Sequence, residues 1–213
     1  MVNEADWVMK GGKGGATGYG GNGAGLNAET EYEYAYPPYN YGVTNSGNLD
    51  GSGGDGGTTG GNAGWFYLYG YYFLTNSGTI TNNSGAGGTG DAGVVYQPSG
   101  SSPHYPGSIV LASAGPIKNT GALTANGGAS TGGNGTQGGY IYLTTPNVVS
   151  TVDITANGGA STDKAGGYGG YVWVFSQGGA STVGTFSVAG GAGKTAPGWN
   201  GDVYVDGSHV AGP

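Results

Sequence analysis

Histidine and aspartate are the residues of this sequence that could do acid–base chemistry, and their spacing argues against a catalytic site. The two histidines, His104 and His209, form no pairing that sequence spacing defines. Sites that cleave polysaccharides group several aspartates with a lysine or arginine on one face, whereas the aspartates here are scattered. They include Asp153, Asp163, Asp202 and Asp206. Because no arginine is present to stabilise a charged transition state, we expect no enzyme activity.

One short stretch has the residue types of a calcium site. The segment from Asp50 to Asp55 reads Asp-Gly-Ser-Gly-Gly-Asp and resembles a single degraded copy of a calcium-binding nonapeptide. A working calcium roll needs that motif in tandem. We therefore expect no bound metal and no cofactor, and Asp50 and Asp55 are only weak Ca²⁺ candidates.

The composition excludes several functional classes. Glycine makes up 53 of the 213 residues, 8% of the residues are charged, and the net charge is −7. A surface that follows phosphates needs clustered positive charge, so we expect no nucleic-acid partner. No apolar run approaches the roughly 20 residues of a membrane-spanning helix, so we expect no membrane insertion. Without cysteine there is no disulfide framework.

The first residues carry no export signal. Met1 to Trp7 has no basic region, no apolar stretch and no small-residue cleavage site. We therefore expect either a form from which a signal was removed or a protein that never uses a secretion channel, such as a phage component.

The chain repeats itself with a basic period near 31 residues. The sequence LTANGGAST at 123–131 returns as ITANGGAST at 154–162. The same frame aligns five apolar residues that are 31, 43, 31 and 32 positions apart: Leu49, Ile80, Leu123, Ile154 and Phe186. An insertion near 94–105, rich in Pro, Ser and Gly, explains the single long step.

Each repeat carries a second run of β-branched or aromatic residues bounded by glycine, which predicts a strand. These runs lie at 65–69, 108–112, 140–144, 171–175 and 202–206. A third apolar patch, such as Val148-Val149, adds a further side. Units that cannot bury an apolar face alone stack on their neighbours. We therefore predict an all-β, glycine-rich parallel β-solenoid (β-helix) of about five repeats of about 31 residues over 47–213. Irregular, polyproline-II-like glycine segments at 11–25 and 51–64 would complete it, with residues 1–46 as a glycine- and tyrosine-rich arm.

The repeat pattern TANGGAST followed by GGYGGYVWV, at 155–174, resembles the glycine-rich repeats of bacterial surface proteins predicted to be parallel β-solenoids. It is more weakly similar to the glycine-rich tip adhesins of T-even-like phages, whose long pure-glycine runs this chain lacks. The resemblance covers roughly 47–207. It implies a structural or adhesive function and no catalytic residue.

Strand alternation assigns the side chains of the second strand to two faces. Aliphatic and small residues such as Ile141 and Leu143 point inward. The outward positions form a ladder with four aromatic rungs out of five: Tyr67, Val110, Tyr142, Trp173 and Tyr204. A strip of this size is large for a soluble monomer. Three interpretations are open, namely cover by the amino-terminal segment, cover by a neighbouring subunit, and a platform on which glycans stack.

The first strand predicts a second outward ladder, of Thr and Asn. Its rungs are Thr81/Asn83, Thr124/Asn126 and Thr155/Asn157. Regular Thr ladders on flat solenoids can bind ice. The plainer interpretation is that Thr and Asn suit exposed strands and that the Asn side chains pair between coils.

The amino-terminal arm contains an alternating stretch, with Tyr32, Tyr34 and Tyr36 on one side, that ends at Pro37 and Pro38. It either folds back on its own solenoid or pairs with the next subunit, and Trp7 could dock in the same way. Residues 206–213 read as a short polar tail without a strong cap, which leaves the end open to stacking.

Together these patterns predict a structural, self-assembling subunit of an extracellular filament or surface layer, joined head to tail and by the arm. The alternative is a glycan- or receptor-binding adhesin on a cell or virion surface, and a third hypothesis is an ice-binding solenoid. The expected partners are further copies of the chain and glycans.

Overall fold

A computed structural model describes residues 1–30, 41–93 and 107–210. Within these ranges the chain winds through six coils, which contribute short strands to three sheets. In chain order the strands are β1 (Val2–Asn3), β2 (Trp7–Val8), β3 (Leu26–Glu29), β4 (Val43–Asn45), β5 (Leu49–Asp50), β6 (Trp65–Gly70), β7 (Leu74–Asn76), β8 (Ile80–Thr81), β9 (Ser108–Ser113), β10 (Ile117–Asn119), β11 (Leu123–Thr124), β12 (Tyr140–Thr145), β13 (Val149–Ser150), β14 (Ile154–Thr155), β15 (Tyr171–Ser176), β16 (Phe186–Ser187), β17 (Asp202–Val205) and β18 (Ser208–Val210).

The strands stack into three sheets, and this confirms the predicted parallel β-solenoid. Sheet A contains β1, β4, β7, β10 and β13, and sheet B contains β2, β5, β8, β11, β14 and β16. Sheet C contains β3, β6, β9, β12, β15, β17 and β18, and only its last pair is antiparallel. The apolar residues of the repeat frame, from Leu49 to Phe186, lie in register along sheet B as the 31-residue period predicted.

Residues 1–30 form the first coil of the stack. β1 pairs with β4, β2 with β5, and β3 with β6. Strands that we expected in a separate arm therefore continue all three sheets, and the described chain has six coils where we expected about five. The repeat frame missed this coil because Trp7 occupies the position that is aliphatic in the next four coils, 42 residues before Leu49.

The three sheets enclose one continuous apolar core. Each coil adds one or two inward side chains per sheet, and most are fully buried, as are Leu74 in sheet A, Ile80 in sheet B and Ile109 in sheet C. Burying a side chain of this size contributes about 1.5–3 kcal/mol. Because no coil can bury these side chains alone, the core holds the coils in register.

A buried asparagine ladder lies at the corner between sheets A and B. The side-chain amide of Asn45 donates to Oδ1 of Asn76 at 2.6 Å, and Asn76 donates to Asn119 at the same distance. Asn3 extends the ladder at one end and Thr151 at the other. Each Asn amide also donates to the backbone carbonyl two residues further on. Such pairing removes the cost of burying an amide.

The glycine-rich segments form a lobe that extends from the three-sheet body between sheets B and C. We define the glycine lobe as residues 10–25, 51–64, 82–93, 125–139, 156–170 and 188–201. In each coil an outgoing and a returning leg are hydrogen-bonded to each other, as between the Gly61 amide and the Gly54 carbonyl at 2.8 Å. The legs also bond to the next coil, as between the Gly85 amide and the Gly61 carbonyl at 2.9 Å.

Close backbone approach explains why the glycine lobe needs glycine. A Cβ atom added at Gly159 would lie 1.8 Å from the carbonyl oxygen of Gly128, and one at Gly167 would lie 1.9 Å from that of Thr136. Positive φ is not the reason, because among the described glycines only Gly107, Gly179 and Gly207 have φ in that region. Any side chain at the packed positions would push the legs apart.

The end of the described chain is capped, contrary to our expectation of a short polar tail. β18 turns back and pairs antiparallel with β17 through a tight turn at Asp206 (φ 48°) and Gly207 (φ 80°). An Asp-Gly pair is a strong signal for this hairpin turn. The Asp206 carboxylate also accepts the amide hydrogens of Ser176 and Ser181, which ties the turn to the preceding coil.

Candidate ligand-binding surface

The outer face of sheet C aligns the predicted aromatic ladder. Tyr67, Val110, Tyr142, Trp173 and Tyr204 are register partners along the sheet. The alternation rule places them outward because their strand neighbours, such as Ile141 and Leu143, fill the core. The sequence therefore predicted the row correctly, although not its contacts.

The row is divided at the third coil. The outward side chain of Val110 is only 4% exposed, since it is short and lies between Tyr67 and Tyr142 in the flanking strands. Tyr67 lies beyond this break, and its pKa is raised by burial and then by the nearby Glu29 carboxylate.

On the other side of the break the rings touch one another. The ring centroids of Tyr140 and Tyr142 are 6.0 Å apart, those of Tyr142 and Trp173 6.3 Å, and those of Trp173 and Tyr204 5.2 Å. The imidazole of His209, on β18, extends the contact from Tyr204 at 5.0 Å. We call these five side chains the aromatic row.

A shallow groove opens beside the aromatic row at the last two coils. Its volume is about 210 Å³, and its lining consists of Trp173, Val174, Phe175, Tyr204 and Gly207. Trp173 is 41% exposed, so solvent reaches one face of the indole. An open groove with aromatic walls suits a small ligand that has an apolar face.

Polar groups border the aromatic row without making it cationic. Nε2 of His209 lies 3.0 Å from Oδ1 of Asp202. Burial, and then the neighbouring Tyr142, raise the pKa of Tyr140 to about 12, so its hydroxyl stays protonated and neutral at physiological pH. None of the five lysines of the chain lies in a strand of sheet C, whereas Glu29 and Asp202 do. The surface therefore disfavours anionic ligands.

The candidate catalytic residues do not form a constellation in the described part of the chain. His104 lies outside the described residues. Asp153 accepts hydrogen bonds from the hydroxyl and then the amide of Thr185, and these lower its pKa. Asp163 pairs with Lys194 at 3.3 Å. Asp206 serves the end cap, where burial raises its pKa but the hydrogen bonds from Ser181 and Ser176 outweigh burial and lower it. These carboxylates thus have separate neighbours and separate structural contacts.

The two weak calcium candidates also serve the backbone. Oδ1 of Asp50 accepts the amide of Ser52, and Oδ1 of Asp55 accepts the amide of Ala86 in the next coil. Among the described residues, no three His, Asp or Glu side chains come together as a metal site requires.

The predicted assembly residues separate into two groups. Trp7 lies in β2, opposite Leu49, and is partly exposed at the edge of the first coil. Tyr32, Tyr34 and Tyr36 lie outside the described residues, so their role stays a prediction.

The Asn residues of the Thr/Asn ladder pair between coils, as the plainer interpretation expected. Oδ1 of Asn83 accepts the amide of Asn126 at 2.7 Å, and Oδ1 of Asn126 accepts the amide of Asn157 at 2.8 Å. Their carbonyl oxygens are therefore occupied within the protein. Ice binding by the threonines stays a prediction.

One aromatic pair escaped the sequence analysis. Tyr168 and Trp199 lie on the returning legs of the glycine lobe, and their ring centroids are 6.0 Å apart. Their 31-residue separation, which continues from Gln137, was the signal that could have revealed them. The strand-based search missed it because these residues precede the strands.

Comparison of the chain with protein-family models, with curated proteins and with solved structures gives no match. The described residues also contain no helix that is long and apolar enough to cross a membrane.

Proposed function

We propose that this protein is a non-catalytic adhesive solenoid that binds neutral glycans on the outer face of sheet C. The observation that carries the proposal is the aromatic row, in which Tyr140, Tyr142, Trp173, Tyr204 and His209 touch in sequence along the stack. Aromatic faces attract the C–H bonds of a sugar ring, and phenol and indole groups add hydrogen bonds at their edges.

Rigidity supports this proposal. The rings of the aromatic row project from strands that are hydrogen-bonded on both sides and packed on a buried core, so little side-chain freedom is lost on binding. The acidic character of sheet C favours neutral over anionic glycans. A glycan-binding solenoid of this kind would act outside the cell, on a cell or virion surface.

The test is affinity electrophoresis in gels that contain a soluble neutral polysaccharide, with a glucan, a mannan, a xylan and a galactan used in turn. We expect at least one of them to retard the protein, and Trp173→Ala to weaken that binding by about tenfold or more. Trp173→Phe should restore part of the binding. Tyr19→Ala is the control, because Tyr19 is an exposed aromatic residue of the glycine lobe, far along the stack from the row.

Lack of retardation by every glycan would overturn the proposal. Equal retardation of wild type and Trp173→Ala would also overturn it, provided that circular dichroism shows both variants folded.

Self-assembly is the second candidate, and the first coil favours it. The outer edges of β1, β2 and β3 have no partner strand among the described residues, and Val2 and Val8 are exposed there. Open edges promote association. Against simple head-to-tail stacking, β18 covers the opposite end of sheet C with an antiparallel strand. Electron microscopy of the native protein separates the two candidates, because filaments would support assembly and discrete particles would exclude it.

A further inference from the structure

Tyr168 and Trp199 form a second exposed aromatic surface, on the glycine lobe. Trp199 is 78% exposed and Tyr168 is 56% exposed, although the two rings touch. The Gly169 amide donates to the Trp199 carbonyl at 2.8 Å, so adjacent returning legs hold the pair in place. Scattered exposed aromatic residues need no explanation, but two that stack on each other on a fixed backbone suit a ligand.

This pair has a fixed relation to the aromatic row. Tyr168 precedes Trp173 by five residues in the fifth coil, and Trp199 precedes Tyr204 by five in the sixth. Five residues of extended chain span at most about 18 Å. The two coils therefore present two aromatic pairs at corresponding places, one on the glycine lobe and one on sheet C.

The backbone between the two pairs offers little obstruction. It begins with Gly169-Gly170 in one coil and Asn200-Gly201 in the other, and Val172 and Val203 point into the core. The segments 168–173 and 199–204 contain a single charged residue, Asp202, and no lysine. A neutral, elongated ligand with repeated apolar faces matches this surface better than an anionic chain does.

We propose that Tyr168 and Trp199 are a second stacking subsite, so that the fifth and sixth coils bind one neutral oligosaccharide along the strand direction. This proposal rests on the proposed function, because it requires Trp173 and Tyr204 to be the first subsite. Two subsites on one ligand raise its affinity by making the second contact intramolecular. Affinity should therefore grow with oligosaccharide length.

The experiment is isothermal titration of the full chain with di- and hexasaccharides of the cello-, manno-, xylo- and galacto- series. We expect Trp199→Ala to weaken hexasaccharide binding by about tenfold while disaccharide binding changes less than about twofold. Trp173→Ala should weaken both. Tyr19→Ala, which removes an exposed aromatic residue from the first coil of the lobe, should change neither.

The outcomes separate the two proposals. If Trp173→Ala weakens binding but Trp199→Ala leaves the hexasaccharide affinity unchanged, the second subsite is wrong and the adhesive function stands. If no oligosaccharide binds, the adhesive function fails, and with it the subsite. Since Trp199 is largely exposed, folding of the Trp199→Ala variant is not at risk, and Trp199→Phe should recover most of the hexasaccharide affinity.

Discussion

The three-sheet body and the glycine lobe hold the same six coils together in different ways. In the body, side chains such as Ile80 and Ile141 fill the space between the sheets, and the ladders of hydrogen bonds run along the stack. In the lobe the backbones themselves are the packing units. The Gly159 amide bonds to the Thr136 carbonyl of the previous coil, while the Gly158 amide bonds to the Ala189 carbonyl of the next.

This difference sets which substitutions each region accepts. The inward rows of the body already alternate between Leu, Ile, Val and Phe in successive coils, since an apolar core tolerates swaps of similar volume. The lobe offers no such freedom at Gly159 or Gly167, where a single Cβ would overlap a carbonyl oxygen. The lobe thus depends on the absence of side chains, and the body depends on their presence.

The largest effect is expected in the body. Ile141→Ala would leave a cavity in the middle of the core, where Ile141 is fully buried, and should lower the free energy of unfolding by about 2–5 kcal/mol. Urea denaturation measures this loss. Val148→Ala is the control, because Val148 is exposed and should change stability by less than about 0.5 kcal/mol. Equal losses in the two variants would contradict the assignment of the core.

A smaller and more local effect is expected in the lobe. Gly159→Ala forces its Cβ against the Gly128 carbonyl and should cost about 1–3 kcal/mol. Hydrogen exchange should show faster exchange of the Gly159 and Gly167 amides, while the amides of β12 and β15 keep their protection.

Gly12→Ala is the matched control for the lobe, because nothing lies within 4 Å of a Cβ built at Gly12. It should leave stability unchanged or raise it by about 0.4–1 kcal/mol, since alanine restricts the unfolded chain. A loss as large as that of Gly159→Ala would mean that backbone approach is not what requires glycine in the lobe.

The smallest effect concerns acid. The pKa of Asp206 is lowered in the folded protein, where hydrogen bonds from Ser181 and Ser176 outweigh the opposing effect of burial. A lowered pKa contributes stability above the unfolded value of about 3.9, and this contribution is lost as the pH falls through the folded value. Stability should therefore fall below about pH 4 in the wild type.

Asp206→Asn tests this, because asparagine keeps the turn geometry but does not titrate. Thermal melts between neutral and acidic pH should show a smaller acid-induced loss for the variant than for the wild type. The same pH series followed by hydrogen exchange should show β17 and β18 opening before the lobe. If the lobe opened first, the end cap would not be the acid-sensitive element.

The sequence determined the solenoid and its register. A period of 31 residues with apolar residues at fixed places leaves one economical way to bury them, which is stacking, and alternation then decides which residues point inward. The asparagine ladder was equally visible, since Asn45-Ser-Gly, Asn76-Ser-Gly and Asn119-Thr-Gly share the repeat spacing. We missed it because the search followed apolar residues.

Only the tertiary structure decided the features that depend on which backbone lies beside which. The burial of Val110, the contact between Tyr168 and Trp199 and the return of β18 all follow from neighbours in other coils or strands. At the third coil, Gly107 has a left-handed φ of 79°, and Asn82 reaches across to donate to the carbonyls of Gly64 and Ser108. A period along the chain fixes which positions repeat, but side-chain size in adjacent coils fixes what each repeat touches.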